Sequence, residues 1–322
     1  MRKFAIIVLF SAFLTGAYGQ ANFDSKEKEQ ASKNKVKRQI EWAYDYVNGK
    51  PGSKSYKSSS KVFDRNGNTV ESCTFKSTGD TLSKMLYKYD NQGNNLSYIR
   101  YYKGDLAYSL NIRYDSKGRK LFETGINGDP RYGGLPFNNT FTYDNNGRLV
   151  ETRNTENKVL NERRIFKYSG NSLEMTVLNP TGSITGKEIF LIGSPQNPKC
   201  NELNILDNIG LKSVYQYDQS GKKIEDAKVS VGNIDLRTTY SYDSNCNLLQ
   251  INQETNGKVL VSYQYKYDAL GNVIEEKWSK EGGSGSSKRS NKFDTKGLRT
   301  EMEYYNAPSK ITSFSKFTYE FF

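Results

Sequence analysis

The chain has 322 residues, enough for one or two globular domains or one long repeat array. Histidine is absent and cysteine occurs three times, which removes the usual general base near neutral pH and leaves too few thiols for a zinc cluster or a disulfide-dense scaffold. With a net charge of +12, 35% hydrophobic residues and 24 tyrosines, a thick aliphatic core is not expected; a thin sheet with aromatic faces is expected, and anionic partners are favoured.

Met1-Arg2-Lys3 is a basic start, and the apolar run from Phe4 to Thr15 follows it. Ala17-Tyr18-Gly19 puts small residues at −3 and −1 of a cleavage site, so residues 1–19 read as a secretory signal cut near Gly19-Gln20. The run is shorter than the roughly 20 residues a membrane span needs. No cysteine precedes Cys73, so a lipid anchor on a terminal cysteine is not expected. The mature chain is expected to be secreted or periplasmic, with no membrane span once the signal is removed. Residues 20–35 are polar and charged without an apolar stripe, and read as a flexible leader. A short amphipathic helix from about Glu27 to Val47 competes with that reading. Against it, Trp42, Tyr44 and Tyr46 alternate with period 2, as in a strand.

From residue 36 to 322 a motif recurs. Tyr-Asp-x-x-Gly begins at Tyr89, Tyr114, Tyr143, Tyr217 and Tyr267, and Phe replaces Tyr at Phe63 and Phe293. Tyr242-Asp243 ends on Cys246 in place of Gly, Tyr168-Ser169 is a degenerate copy, and Tyr319-Glu320 closes the series. The aromatics at 217, 242 and 267 are 25 residues apart. Asp can bond the backbone two residues on, and Gly three residues after it can take positive φ without steric cost. Asp64 with Gly67, Asp90 with Gly93, Asp115 with Gly118, Asp144 with Gly147, Asp218 with Gly221, Asp268 with Gly271 and Asp294 with Gly297 therefore read as turn pairs. Each predicts a type I turn with a G1 bulge.

The flanks alternate as strands, as in Tyr263, Tyr265 and Tyr267. An aliphatic follows the motif aromatic by seven residues, as at Leu96, Ile224 and Leu249. Second turns lie midway, at Gly104, Gly128 and Gly257. The expected fold is all-β: a repetitive antiparallel β-hairpin meander forming a long twisted, coiled or partly closed sheet.

These residues resemble YD repeats of the Rhs type, over about residues 36–322, and the plan of a signal followed by divergent repeats is similar to that of small exported YD-repeat proteins of Bacteroidetes-type bacteria. The resemblance implies strands that build a shell around a toxin or form surface rods contacting carbohydrate or protein. The chain is short and ends inside a repeat at Phe322, so encapsulation is not expected.

The repeated Asp residues do not converge as calcium ligands or paired catalytic carboxylates should, so no metal, cofactor or enzymatic site is expected. Gly282-Gly283-Ser-Gly285 lacks the phosphate-loop pattern and reads as a flexible hairpin loop. Cys200 and Cys246 both head Cys-Asn-x-Leu. Four strand spacings, about 19 Å in a flat sheet, favour free thiols, although coiling would let them pair. Insertions are the better binding candidates. Residues 128–136 carry Arg131 and Tyr132, with Phe137 beyond them, and Trp278 is an aromatic candidate elsewhere; residues 193–200 replace a turn. The partner expected is an anionic glycan or an envelope protein, not nucleic acid, and nothing in the sequence sets the oligomeric state. The alternative is an outer-membrane β-barrel, prompted by the ending Phe317-Thr-Tyr319-Glu-Phe321-Phe322. Recurrent Lys and Glu on the strands and a mean hydropathy of −0.78 weigh against it.

Overall fold

The computed structural model describes residues 27–47, 50–128, 134–170, 172–191, 213–217, 223–230, 233–269, 271–307 and 311–322. The expected signal, Arg131, Tyr132, Cys200, Asp218 and Gly221 lie outside the described residues. After a short helix α1 (residues 27–33) the described chain is almost all strand. In order come β1 (Val36–Val47), β2 (Lys50–Phe63), β3 (Thr69–Phe75), β4 (Thr81–Tyr89), β5 (Asn95–Tyr102), β6 (Asp105–Tyr114) and β7 (Lys120–Asn127). Next are β8 (Leu135–Tyr143), β9 (Leu149–Glu156), β10 (Val159–Ser169), β11 (Ser172–Leu178), β12 (Ile184–Leu191), β13 (Ser213–Tyr217) and β14 (Lys223–Ser230). The last are β15 (Asn233–Tyr242), β16 (Leu248–Thr255), β17 (Lys258–Tyr267), β18 (Val273–Lys280), β19 (Gly283–Phe293), β20 (Arg299–Asn306) and β21 (Ile311–Phe321). No helix among the described residues is long and apolar enough to cross a membrane.

The chain divides into two compact units. The first holds residues up to 82, 242–249 and 263–322. In it β18, β19, β20, β21, β1, β2 and β3 pair antiparallel in that order, so β1 lies between β2 and the C-terminal β21. The alternation of Trp42, Tyr44 and Tyr46 is that of β1. Residues 27–33 are helical where the sequence predicts a flexible leader through residue 35. Ala31 of α1 and Val36 are buried with Phe63 and Leu298, and Tyr319 packs on the cluster. An apolar pair so close to a charged segment gives no periodic stripe, but burial of Ala31 and Val36 holds the turn of helix in place. Residues 283–285, expected in a flexible loop, begin β19; the turn before it narrows to residues 281–282.

The second unit holds residues 83–241 and 250–262. Strands β4 to β12 form an antiparallel meander with each neighbour paired to the next. The regular pattern then breaks, because β12 and β13 pair parallel. Parallel neighbours cannot be joined by a two-residue hairpin, and residues 192–212 separate these two strands in the sequence. The core of this unit is Phe166, Leu173, Met175 and Val177, flanked by Leu149 and Tyr168. The aliphatic seven residues after the motif aromatic is less buried than a core row: Leu96 is 36% exposed in this unit, and Leu249 in the other is 39% exposed.

Cys246 is disulfide-bonded, and Cys73 is a buried thiol outside any disulfide. This overturns the expectation of free thiols. The 19 Å distance assumed an unbroken array of antiparallel hairpins, whereas β12 and β13 pair parallel.

Candidate ligand-contacting surface

The motif chemistry is local and consistent. In the turn at Asp115, the Gly118 N–H donates to the Asp115 carbonyl at 3.0 Å and the Asp115 N–H to the Arg119 carbonyl at 2.8 Å. The carboxylate oxygen Oδ1 accepts the N–H groups of Lys117 and Arg119 at 2.9 and 2.8 Å, and Oδ2 accepts Arg119 Nε at 2.7 Å. The two backbone bonds to Oδ1 recur at Asp64, Asp90, Asp144 and Asp294, with a side-chain donor to Oδ2 at the first three, and Asp268 accepts the Asn272 N–H. These donors hold the carboxyls of Asp115 and Asp144 below the usual range, chiefly through the backbone N–H of Arg119 and Arg148; at Asp90 the Asn94 side chain leads. Gly67, Gly93, Gly118, Gly147, Gly271 and Gly297 have φ between 75° and 85°. Cys246 takes the same conformation at 65° in the motif that lacks glycine. A further turn escaped the sequence reading: Asn179 accepts from Thr181 and Ser183, and Gly182 has φ 86°. Its signal was Asn-x-x-Gly with Leu178 in place of the aromatic.

The motif aspartates therefore cap turns. Among the described residues, aromatic and charged side chains stand on the strand faces. In the first unit two rows cross five adjacent strands. One runs Lys292, Glu301, Lys316, Trp42, Lys57 from β19 to β2, and its neighbour runs Ser290, Glu303, Phe314, Tyr44, Ser55. Trp42 Nε1 donates to Thr318 Oγ1 at 3.0 Å, and the Tyr46 hydroxyl donates to Glu303 Oε1 at 2.7 Å. The Tyr44 and Phe314 rings meet edge to face at 5.5 Å. Lys316 Nζ sits 5.6 Å from the Tyr44 centroid and 5.9 Å from that of Phe314. The aromatics are thus pinned by their polar tips and by one another, with a cation beside them.

The opposite face of these strands is packed. Glu41 accepts from Ser59 at 2.9 Å and from Ser315 at 2.8 Å, and Ser315 is buried. The Tyr319 hydroxyl donates to the Arg299 carbonyl at 2.8 Å on that side. Beneath α1 lies a cavity of about 300 Å³ lined by Phe63, Leu298, Arg299 and Tyr319 among others. Burial lowers the Arg299 guanidinium and raises the Tyr319 phenol.

Of the sequence candidates, Trp278 belongs to the first unit and Phe137 to the second, and Arg131 and Tyr132 lie outside the described residues. Trp278 lies on β18 opposite Gly285, with Lys280 Nζ 5.5 Å from its ring, on the face away from Glu275 and Lys288. Phe137 belongs to the second unit, where it closes an aromatic ladder. Tyr87, Tyr98, Tyr108 and Phe137 follow one another at centroid distances of 5.2, 5.6 and 5.9 Å. Phe137 reaches Tyr108 because β7 places Gly125 opposite it; a Cβ on Gly125 would lie 1.8 Å from the Ser109 carbonyl oxygen. Trp42, Tyr44, Phe314 and Lys316 were missed as candidates. Alternation within each strand was the available signal, but the pairing of residues 42 and 316 is not written locally.

No protein-family model matches the chain, and no curated protein does. Several solved structures are similar at low identity. A crystal structure of TcdB2-TccC3 is 12% identical with a TM-score of 0.32, over 87% of this chain and 19% of that one. This chain therefore spans about a fifth of that chain's length. A porin-like protein from Bacteroides uniformis ATCC 8492 is 8% identical with a TM-score of 0.30, over 89% of this chain and 97% of that one. One from Bacteroides vulgatus ATCC 8482 is 11% identical with a TM-score of 0.29, over 88% and 98%.

Proposed function

We propose that the chain is an exported, non-catalytic scaffold of the YD-repeat kind that binds an extracellular or envelope ligand, a glycan or an envelope protein. The observation that carries this reading is the five-strand face around Trp42, Tyr44, Phe314 and Lys316, where rings and lysines alternate above a packed reverse side. Pinned rings present flat apolar area at little cost in side-chain entropy. The motif aspartates are occupied in turn capping, which supports looking to the strand faces for binding. The basic balance of the whole chain favours anionic groups on the ligand.

A glycan array read at several salt concentrations, with Trp42→Ala beside the parent protein, tests the reading. Retention of one glycan class that weakens in the variant supports it; an array with no binder and a variant with no effect on envelope association oppose it. N-terminal sequencing of the exported protein should begin at Gln20. Recovery from cell fractions only in detergent would favour an outer-membrane barrel instead.

A further inference from the structure

Resting on that reading, we infer that the Trp42 face takes a linear acidic polysaccharide, one bearing carboxylates at regular intervals. The first observation is a surplus of fixed cations. Glu275 has Lys266 at 2.8 Å and Lys277 and Lys288 each at 3.9 Å. Glu301 has Lys292 at 2.7 Å and Lys316 at 3.8 Å. Five ammonium groups thus stand over three carboxylates, because Glu303, which accepts from Tyr46, keeps its charge and also acts on Lys292. Their side chains are 47% to 72% exposed, while the Glu275 and Glu301 side chains are 12% and 25% exposed. The carboxylates hold the lysines in position from below, and the excess positive charge faces solvent.

The second observation is spacing. Lys292, Lys316 and Lys57 stand on every second strand of one row. With strands about 4.8 Å apart, the cations recur at about 10 Å. That is close to the length of a disaccharide in an extended glycan. Between Lys316 and Lys57 the row carries Trp42, whose ring offers a stacking surface for the C–H face of a sugar. A polymer with one carboxylate per two sugars, lying across the strands, meets cation, ring and cation in register.

Other polyanions fit less well. Bases on a single strand need rings free to splay and stack, whereas Tyr44 and Phe314 are locked edge to face. A lipid surface needs apolar side chains that project beyond the lysines, and here Trp42 and Tyr46 are tied laterally to Thr318 and Glu303.

The full chain should bind hyaluronate, which carries one carboxylate per two sugars, and binding should weaken steeply between about 0.1 M and about 1 M salt. Lys57→Gln, Lys292→Gln and Lys316→Gln combined should weaken it about tenfold, and Lys→Arg at the same positions should restore it. Circular dichroism confirms that the variants are folded. Equal affinity for a single-stranded oligonucleotide or for phosphatidylglycerol vesicles would overturn the inference, as would an unchanged triple-Gln variant. A neutral glycan held through Trp42 without dependence on the lysines would sink the acidic-polysaccharide inference and leave the scaffold reading standing; no glycan bound at all, acidic or neutral, would sink both.

Discussion

The hydroxyl of Tyr143 donates to the carbonyl oxygen of Lys120 at 2.9 Å, joining one motif to the turn of the motif before it. The same bond recurs from Tyr114 to Asn95, Tyr168 to Leu149, Tyr267 to Leu248 and Tyr319 to Arg299. Each acceptor lies five residues after the Asp position of the preceding motif. The tyrosine is therefore a tie between successive hairpins, and burial raises the Tyr143 phenol so that it stays a donor. Where the residue after the turn is Arg, the guanidinium adds to the tie: Arg119 lies 4.8 Å from the Tyr143 centroid and Arg148 the same distance from Tyr168.

Removing that tie has a bounded cost. Tyr143→Phe leaves the ring in place and should lower stability by about 1 kcal/mol, read from the urea midpoint. In a double-mutant cycle with Arg119→Gln the two changes should couple, because Arg119 also contacts the Tyr143 ring. Strict additivity would show that the tie and the stacking act independently.

Two turn glycines should respond differently to alanine. Gly182 has φ 86° and open space around it, so Gly182→Ala adds only left-handed strain of about 1 kcal/mol. Gly67 has φ 79°, and a Cβ there would lie 2.2 Å from the Lys28 carbonyl oxygen of α1. Gly67→Ala should therefore cost more than about 3 kcal/mol or dislodge the helix. Similar thermal midpoints for the two variants would show that α1 does not press on this turn in solution.

Glu188 makes stability depend on pH in an unusual direction. It is 1% exposed on β12, and burial pushes its carboxyl up to about 7, with Arg164 opposing and Glu162 adding to the rise. The folded state holds this proton more tightly than the unfolded chain does. The contribution is intact below pH about 4.5, declines as pH rises, and is lost above pH about 7, a change on the order of 3 kcal/mol. Glu188→Gln should be indifferent at acid pH and raise the unfolding midpoint at pH about 8. The turn aspartates act oppositely: their lowered carboxyls contribute above the unfolded range and lose that contribution as pH falls through the folded value. The difference between parent and variant across pH isolates Glu188.

Thiol chemistry checks the cysteine assignment. With Cys246 in a disulfide and Cys73 buried, the native chain should react slowly with a thiol reagent, and the unfolded, unreduced chain should titrate one thiol. Three reactive thiols after unfolding without reductant would contradict the disulfide.

The amino-acid sequence by itself determined the turns and therefore the hairpins. Asp115, Lys117, Gly118 and Arg119 satisfy one another within five residues, so the chemistry that reverses the chain needs no distant partner. It also placed Trp42, Tyr44 and Tyr46 on one face of a strand, because side chains alternate with period 2. Only the tertiary structure decided what lies beside that strand. The edges of β2 and β21 are separated by most of the chain, and β1 covers both, bringing Trp42 opposite Lys316 and Lys57. The helical turn that buries Ala31, the parallel pairing of β12 with β13 and the disulfide at Cys246 are of the same kind. Each depends on a backbone edge, an apolar surface or a thiol meeting its partner elsewhere in the chain, and a pattern repeating every 25 residues carries no information about such partners.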